Sequence, residues 1–300
     1  MSRPVMIAGG CSYTDPNNWK RRIYAHSEKI DAWPQVLANI IKDNHGIDYE
    51  VINTGKSGAS LGKSIDTIQR AIFPPWPPHD PHPENLIVLG VTDWWREFST
   101  WTEHDYNPPV SYRHMVNHAM KKGEHRQVWH PDWIKENLKS EKHRLEEAEA
   151  MGIKPFLAEW LPKYYVWDEY RKRRIHHAFQ QIYNLINMAK ALEFKVLIYQ
   201  LLDPLPTHDH FLRDWKIDNP LKENIEPWII SHLHEVFLYD VLRKEKSIIG
   251  FPFFGFLGGS NYTENLYKEE YNIADGDSHP NAFGHEAIAK EFYNGWKNLL

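Results

Sequence analysis

Three apolar runs, Val5–Ala8, Leu86–Leu89 and Lys195–Leu201, each stop at a turn rich in glycine or polar residues, and a shorter one, Tyr49–Ile52, leads straight into Asn53-Thr-Gly-Lys-Ser-Gly-Ala-Ser60. A strand covered on both faces loses the alternation of a half-buried one, so these runs predict buried strands. Between them the apolar period lengthens to that of a helix. Trp33, Val36, Leu37, Ile40 and Ile41 share one face of a segment that Asp31 is expected to cap and Asn44-His45-Gly46 to end, with Pro34 in the first turn. Ile65, Ile68 and Ile72 mark a second helix, and Ile175, Ala178, Phe179, Ile182, Leu185, Ile186 and Ala189 mark a long third one. Ser247–Phe254 reads as a fifth strand, 255–281 as a loop and Gly284–Leu299 as a closing helix. Strand and helix in alternation predict an α/β protein: a three-layer α/β/α sandwich around a five-stranded, mainly parallel sheet.

The rhythm breaks twice. Residues 99–161 mix His, Tyr and Trp with a charged helical stretch, Asp132–Ala150, and 203–245 is irregular. Both are expected to be insertions over the carboxyl edge of the sheet, within one domain spanning residues 1–300. Phe73–Asn85 holds six prolines and reads as an extended surface connector.

Composition narrows the function classes. The formal net charge is −5 over 300 residues, so no global basic field favours nucleic acid or an anionic membrane. A lone cysteine, Cys11, excludes an internal disulfide framework and a multi-cysteine zinc site. With no run of about eighteen apolar residues and no basic start leading into a long apolar stretch, a soluble, cytoplasmic protein is expected. Thirteen tryptophans and fifteen tyrosines are expected mainly to pack the core, while partly exposed aromatic faces also suit sugar rings and bases.

The candidate chemistry lies at strand ends. Gly9-Gly10-Cys11-Ser12 puts a serine just past the first strand, at the sheet edge where open α/β folds bind ligands. Near the other end of the chain stands Asp275-Gly-Asp-Ser-His279-Pro-Asn, a histidine with acids nearby, as orientation of a general base requires. Lys56 sits in a Gly/Ser turn, but the spacing of a phosphate loop is absent. His79-Asp80-x-His82 and His208-Asp209-His210 look like metal ligands, yet neither sits on a regular element that would hold ligand geometry. No metal and no cofactor are expected.

Taken together, four blocks (residues 5–15, 51–60, 86–93 and 275–285) and the pattern Trp33-Pro34-x-x-Leu37 resemble the SGNH (GDSL-like) hydrolase family, in a branch whose first block reads Gly-Cys-Ser-aromatic-Thr. The resemblance implies a flavodoxin-like sheet and a serine esterase acting on an acyl ester. It implies Ser12 as nucleophile, His279 as its base, and an oxyanion hole made by the N–H groups of Ser12 and Gly58. Three positions depart from the family pattern. Thr92 stands where an asparagine amide is usual. Gly276 occupies the usual place of the acid, leaving Asp277, which is favoured, or Asp275. Cys11 replaces the acid beside the nucleophile. Tyr13, Trp94, Trp95 and Arg96 are candidate substrate contacts. The expected substrate is a short acyl ester of a polar or carbohydrate molecule. Two rival readings are a binding protein that keeps the fold without the chemistry, and a metal-dependent phosphodiesterase.

Overall fold

A computed structural model describes residues 3–17, 30–73, 80–92, 94, 168–202, 204, 233, 235–274 and 277–300. In chain order the elements are β1 (Val5–Gly9), α1 (Trp33–His45), β2 (Glu50–Asn53), α2 (Leu61–Ile72), β3 (Leu86–Val91), α3 (Asp168–Ala191), β4 (Lys195–Gln200), α4 (Phe237–Leu242) and β5 (Ile248–Ile249). Short helical turns follow, then a hairpin of β6 (Asn272–Ala274) and β7 (Asp277–Pro280), and finally α5 (Ala282–Lys297). The expected sandwich is present. Five strands pair in the order β2-β1-β3-β4-β5, and every pairing between them is parallel. The strand order reverses between β1 and β3, which makes the space beyond their carboxyl ends the natural ligand crevice.

The two faces follow from alternation along the strands. Met6 and Ala8, with Leu86, Val88, Leu197 and Tyr199, share one core cluster with Trp33, Leu37 and Ile41 of α1 and Ile288, Phe292 and Trp296 of α5. Within it the Trp33 and Phe292 rings stack 4.2 Å apart and 3° from parallel, a contact worth about 0.5–1.5 kcal/mol beyond the area it buries. The intervening residues Ile7, Ile87 and Leu89 are buried on the other face. There Ile68 of α2 packs so closely that a Cβ on Gly9 would lie 2.6 Å from it. The Gln69 amide reaches Met188 Sδ at 3.7 Å and sets α2 beside α3. All seven apolar positions expected on the inner face of α3 are buried.

Four local expectations are corrected. The N-cap of α1 is Ala32, which offers no side-chain cap, not Asp31; instead the Trp33 N–H donates to Nδ1 of His285 at 3.3 Å. The fifth strand is two residues long, because Gly250 turns away at φ 69° and Pro252 has no N–H for a ladder. Part of the expected loop 255–281 is the β6–β7 hairpin. The last helix begins at Ala282, two residues early, because the Asn281 side chain accepts the Gly284 N–H at 3.1 Å.

The chain divides into two compact units, one of Met1–Phe98, His177–Thr207 and Leu221–Leu300, the other of Ser99–His176 and His208–Pro220. The first contains the sheet. The second, with the charged stretch Asp132–Ala150, lies outside the described residues except for 168–176. Among the described residues no helix is long and apolar enough to cross a membrane.

Candidate active site

Residues 11–15 form a tight turn off β1, in which the N–H groups of Thr14 and Asp15 both donate to the Cys11 carbonyl, at 2.9 and 3.0 Å. Ser12 stands at its crest. The turn after β2 is fastened to it from the side. Thr54 donates to the Ala8 carbonyl through N–H and hydroxyl, each at 2.8 Å, and the Lys56 N–H reaches the Gly10 carbonyl at 3.0 Å. The Asn53 amide donates to the Thr14 carbonyl at 2.8 Å, and the Asp15 carboxylate accepts the N–H of Ser57 at 3.0 Å and of Asn17 at 2.9 Å. Asp15 is thus a clamp between the first two blocks. The two turns approach so closely that a Cβ on Gly55 would lie 2.7 Å from the Thr14 carbonyl carbon, and within the first turn one on Gly10 would collide with Thr14 Oγ1.

His279 arrives from the other end of the chain on β7. The hairpin is held by Asn281, whose amide donates to the carbonyls of Glu270 at 2.8 Å and Asn272 at 3.0 Å, while its N–H reaches the Tyr271 carbonyl at 2.8 Å. This places His279 Nε2 2.8 Å from Ser12 Oγ, across 267 residues of sequence. With the imidazole proton on Nδ1, Nε2 accepts the serine O–H, the arrangement that general-base activation needs. Tyr13 lies alongside, its ring centre 5.4 Å from the imidazole and 6.1 Å from the Tyr262 ring, which it meets edge-on. Ser12 and Tyr13 are both buried, and the Tyr13 ring belongs to the core cluster, a packing role that replaces the substrate contact expected of it. Burial pushes the Tyr262 hydroxyl well above the ordinary phenol range.

A second histidine, His285, is buried on the inner face of α5. Burial, and then the neighbouring His279, push its pKa down from 6.5 to about 3. It is therefore neutral at pH 7, and its Nδ1, which accepts the Trp33 N–H, leaves the proton on Nε2. The signal in the sequence that could have marked its burial is the helical spacing of His285, Ile288, Ala289, Phe292 and Trp296.

The remaining candidates fall as follows. Thr92 is one residue past β3. Given the pairing Gly9↔Leu89, it stands three positions beyond the same register pair as Ser12. Its hydroxyl is buried and finds no partner among the described residues, and its carbonyl accepts the Gln200 amide at 2.9 Å. Gly58 is exposed, with φ 79°. Among the described residues neither its N–H nor that of Ser12 forms a hydrogen bond. Trp94 is in the core, edge-on to Phe179, Phe253 and Phe254, and this packing replaces the substrate contact expected of it. Trp95, Arg96, Asp275 and Gly276 lie outside the described residues, as does the side chain of Asp277. Cys11 is a buried free thiol. His82 Nδ1 accepts the Glu84 N–H at 3.1 Å, whereas His79 and His208–His210 lie outside the described residues. Among those described, no group of three or more His, Cys, Asp or Glu could hold a metal ion.

No protein-family model matches the chain, and no curated protein matches it significantly. Solved structures similar to it include an acetyl xylan esterase from Geobacillus stearothermophilus, 12% identical, with a TM-score of 0.40 over 98% of this chain and 96% of that one. Another is an alpha/beta hydrolase enzyme from the metagenome of Lake Arreo, Spain, 13% identical, with a TM-score of 0.37 over 100% of this chain and 98% of that one. At these values the likeness carries no argument about chemistry.

Proposed function

We propose that this protein is a serine-dependent hydrolase of acyl esters, of the SGNH (GDSL-like) type. The observation that carries the reading is the 2.8 Å contact between His279 Nε2 and Ser12 Oγ, at the carboxyl edge of the sheet and beside its switch point. In the proposed reaction Nε2 takes the Ser12 proton as Oγ attacks the ester carbonyl. The resulting oxyanion is met by the N–H groups of Ser12 and Gly58 and the hydroxyl of Thr92, each such donor being worth about 3 kcal/mol in the transition state. The tetrahedral intermediate collapses, and the alcohol leaves with the proton now on His279. Water, activated by the same imidazole, then releases the acid from the acyl-enzyme. Asp277 is assigned the orientation of Nδ1, with Asp275 as the alternative carboxylate. Thr92 fits its role because a buried hydroxyl with no partner among the described residues is a donor kept in reserve.

The proposed substrate is a short acyl ester of a polar or carbohydrate molecule, met by Trp95 and Arg96, and the proposed setting is the cytoplasm. The test is hydrolysis of p-nitrophenyl acetate by wild type, Ser12→Ala and His279→Ala, with and without chelator. Activity lost in both variants and indifferent to chelator supports the serine mechanism. Chelator-sensitive activity that survives Ser12→Ala transfers the chemistry to a metal, and equal background rates in all three leave a binding protein.

A further inference from the structure

Every polar atom of Thr14 is engaged, and the residue is wholly buried. Its N–H donates to the Cys11 carbonyl, its carbonyl accepts the Asn53 amide, and its Oγ1 accepts the indole N–H of Trp33 at 3.2 Å. The backbone N–H of the same Trp33 donates to His285 Nδ1 at 3.3 Å. A chain of buried contacts therefore runs from α5 through the start of α1 to the turn that carries Ser12. The helix at its far end follows directly on β7, which carries His279. The contacts close into a ring: Ser12 to His279, along the chain to His285, across to Trp33, then to Thr14 and back to Ser12.

We propose that Thr14, Trp33 and His285 are positioning residues that hold Ser12 Oγ within hydrogen-bond reach of His279 Nε2. The inference rests on the serine-hydrolase reading and deepens it. Nucleophile and base come from opposite ends of the chain, so their separation is set only by what ties the two supporting segments together. A misplacement of about 1 Å between reacting groups costs on the order of 100-fold in rate. The Trp33 indole ties the two segments together, since its stack on Phe292 of α5 fixes the ring and its N–H fixes Thr14. His285 suits its place because a neutral imidazole offers the acceptor that α1 needs where no side chain caps it.

Paired substitutions separate hydrogen bonding from packing. Thr14→Val keeps the methyl against Gly55 and loses the acceptor, whereas Thr14→Ser keeps the acceptor and loses the methyl. Trp33→Phe keeps an aromatic ring over Phe292 and loses the donor. His285→Asn keeps an acceptor near the Nδ1 position, and His285→Leu has none. The readouts are kcat and KM for p-nitrophenyl acetate and the rate of fluorophosphonate labelling, on variants shown by circular dichroism to be folded. Thr14→Val and Trp33→Phe are expected to lower kcat by roughly 10- to 100-fold with KM within about twofold, while Thr14→Ser stays within about threefold of wild type. His285→Asn is expected to exceed His285→Leu in kcat by about tenfold. Full kcat in folded Trp33→Phe, or an active Thr14→Val beside an impaired Thr14→Ser, overturns the inference and leaves the serine mechanism standing. If Thr14→Val does not fold, the kcat of Trp33→Phe decides between these outcomes. A wild-type protein that neither labels nor hydrolyses overturns the serine mechanism itself, and this inference with it.

Discussion

His285 makes the stability of this protein depend on pH in a way that one substitution isolates. In the fold its pKa is pushed down to about 3 by burial and by the nearby His279, against 6.5 for a free imidazole. The folded state refuses a proton that the unfolded chain accepts between those two values. Stability is therefore complete above about pH 6.5 and falls as the pH drops towards 3. Each pH unit in that window costs about 1 kcal/mol or a little more, so some two units, down to pH 4.5, remove roughly 3 kcal/mol. The side chain is buried, so solvent screening does not reduce this figure. His285→Asn has no titrating group and keeps an acceptor for the Trp33 N–H. Near pH 7.5 it should be less stable than wild type by about 1–2 kcal/mol, for the lost ring volume. Near pH 4.5 the wild type has lost roughly 3 kcal/mol that the variant has not, and the order reverses. Urea unfolding of both proteins at the two pH values measures the difference directly, with every other titrating group common to both. A gap that does not change with pH would refute the burial of a neutral His285.

Three further outcomes are expected. Gly55→Ala forces a methyl to within 2.7 Å of the Thr14 backbone and should cost about 1–3 kcal/mol in urea unfolding, together with a fall in kcat. Asn281→Ala removes the cap of α5 and both carbonyl contacts of the β6–β7 hairpin. It should cost about 1–2 kcal/mol and lower kcat while the protein stays folded, since His279 loses its anchor. Ile182→Ala, wholly buried on α3, should cost about 2–5 kcal/mol and leave the labelling rate of the folded protein unchanged.

The sheet was legible because parallel strands are covered on both faces. β1, β3 and β4 therefore stand out as apolar runs bounded by turns, and their ends fall within a residue or two of expectation. β5 misleads for the same reason. Phe253 and Phe254 are buried against Trp94 without pairing in the sheet, and an apolar run does not tell burial from pairing. The hairpin that carries His279 left no periodic trace, because its strands are short and polar and Asn281 holds them from outside. Ser12 and His279 are each unremarkable alone, and only the four blocks in order brought them together. The clamps of Asp15 and His285 were invisible, since each depends on a partner far away in sequence, Ser57 for one and Trp33 for the other. Trp94 illustrates the opposite limit: its place just past β3 suggests a substrate contact where the fold needs the ring for its core.

The most direct measurement is intact-protein mass spectrometry after exposure to a fluorophosphonate, followed by peptide mapping. The serine mechanism predicts one adduct per chain, on Ser12, with no adduct in Ser12→Ala. It predicts labelling slowed by about 100-fold or more in His279→Ala, because general-base activation contributes roughly 10²–10⁴-fold. An adduct on another residue, or labelling at the wild-type rate in His279→Ala, would contradict it.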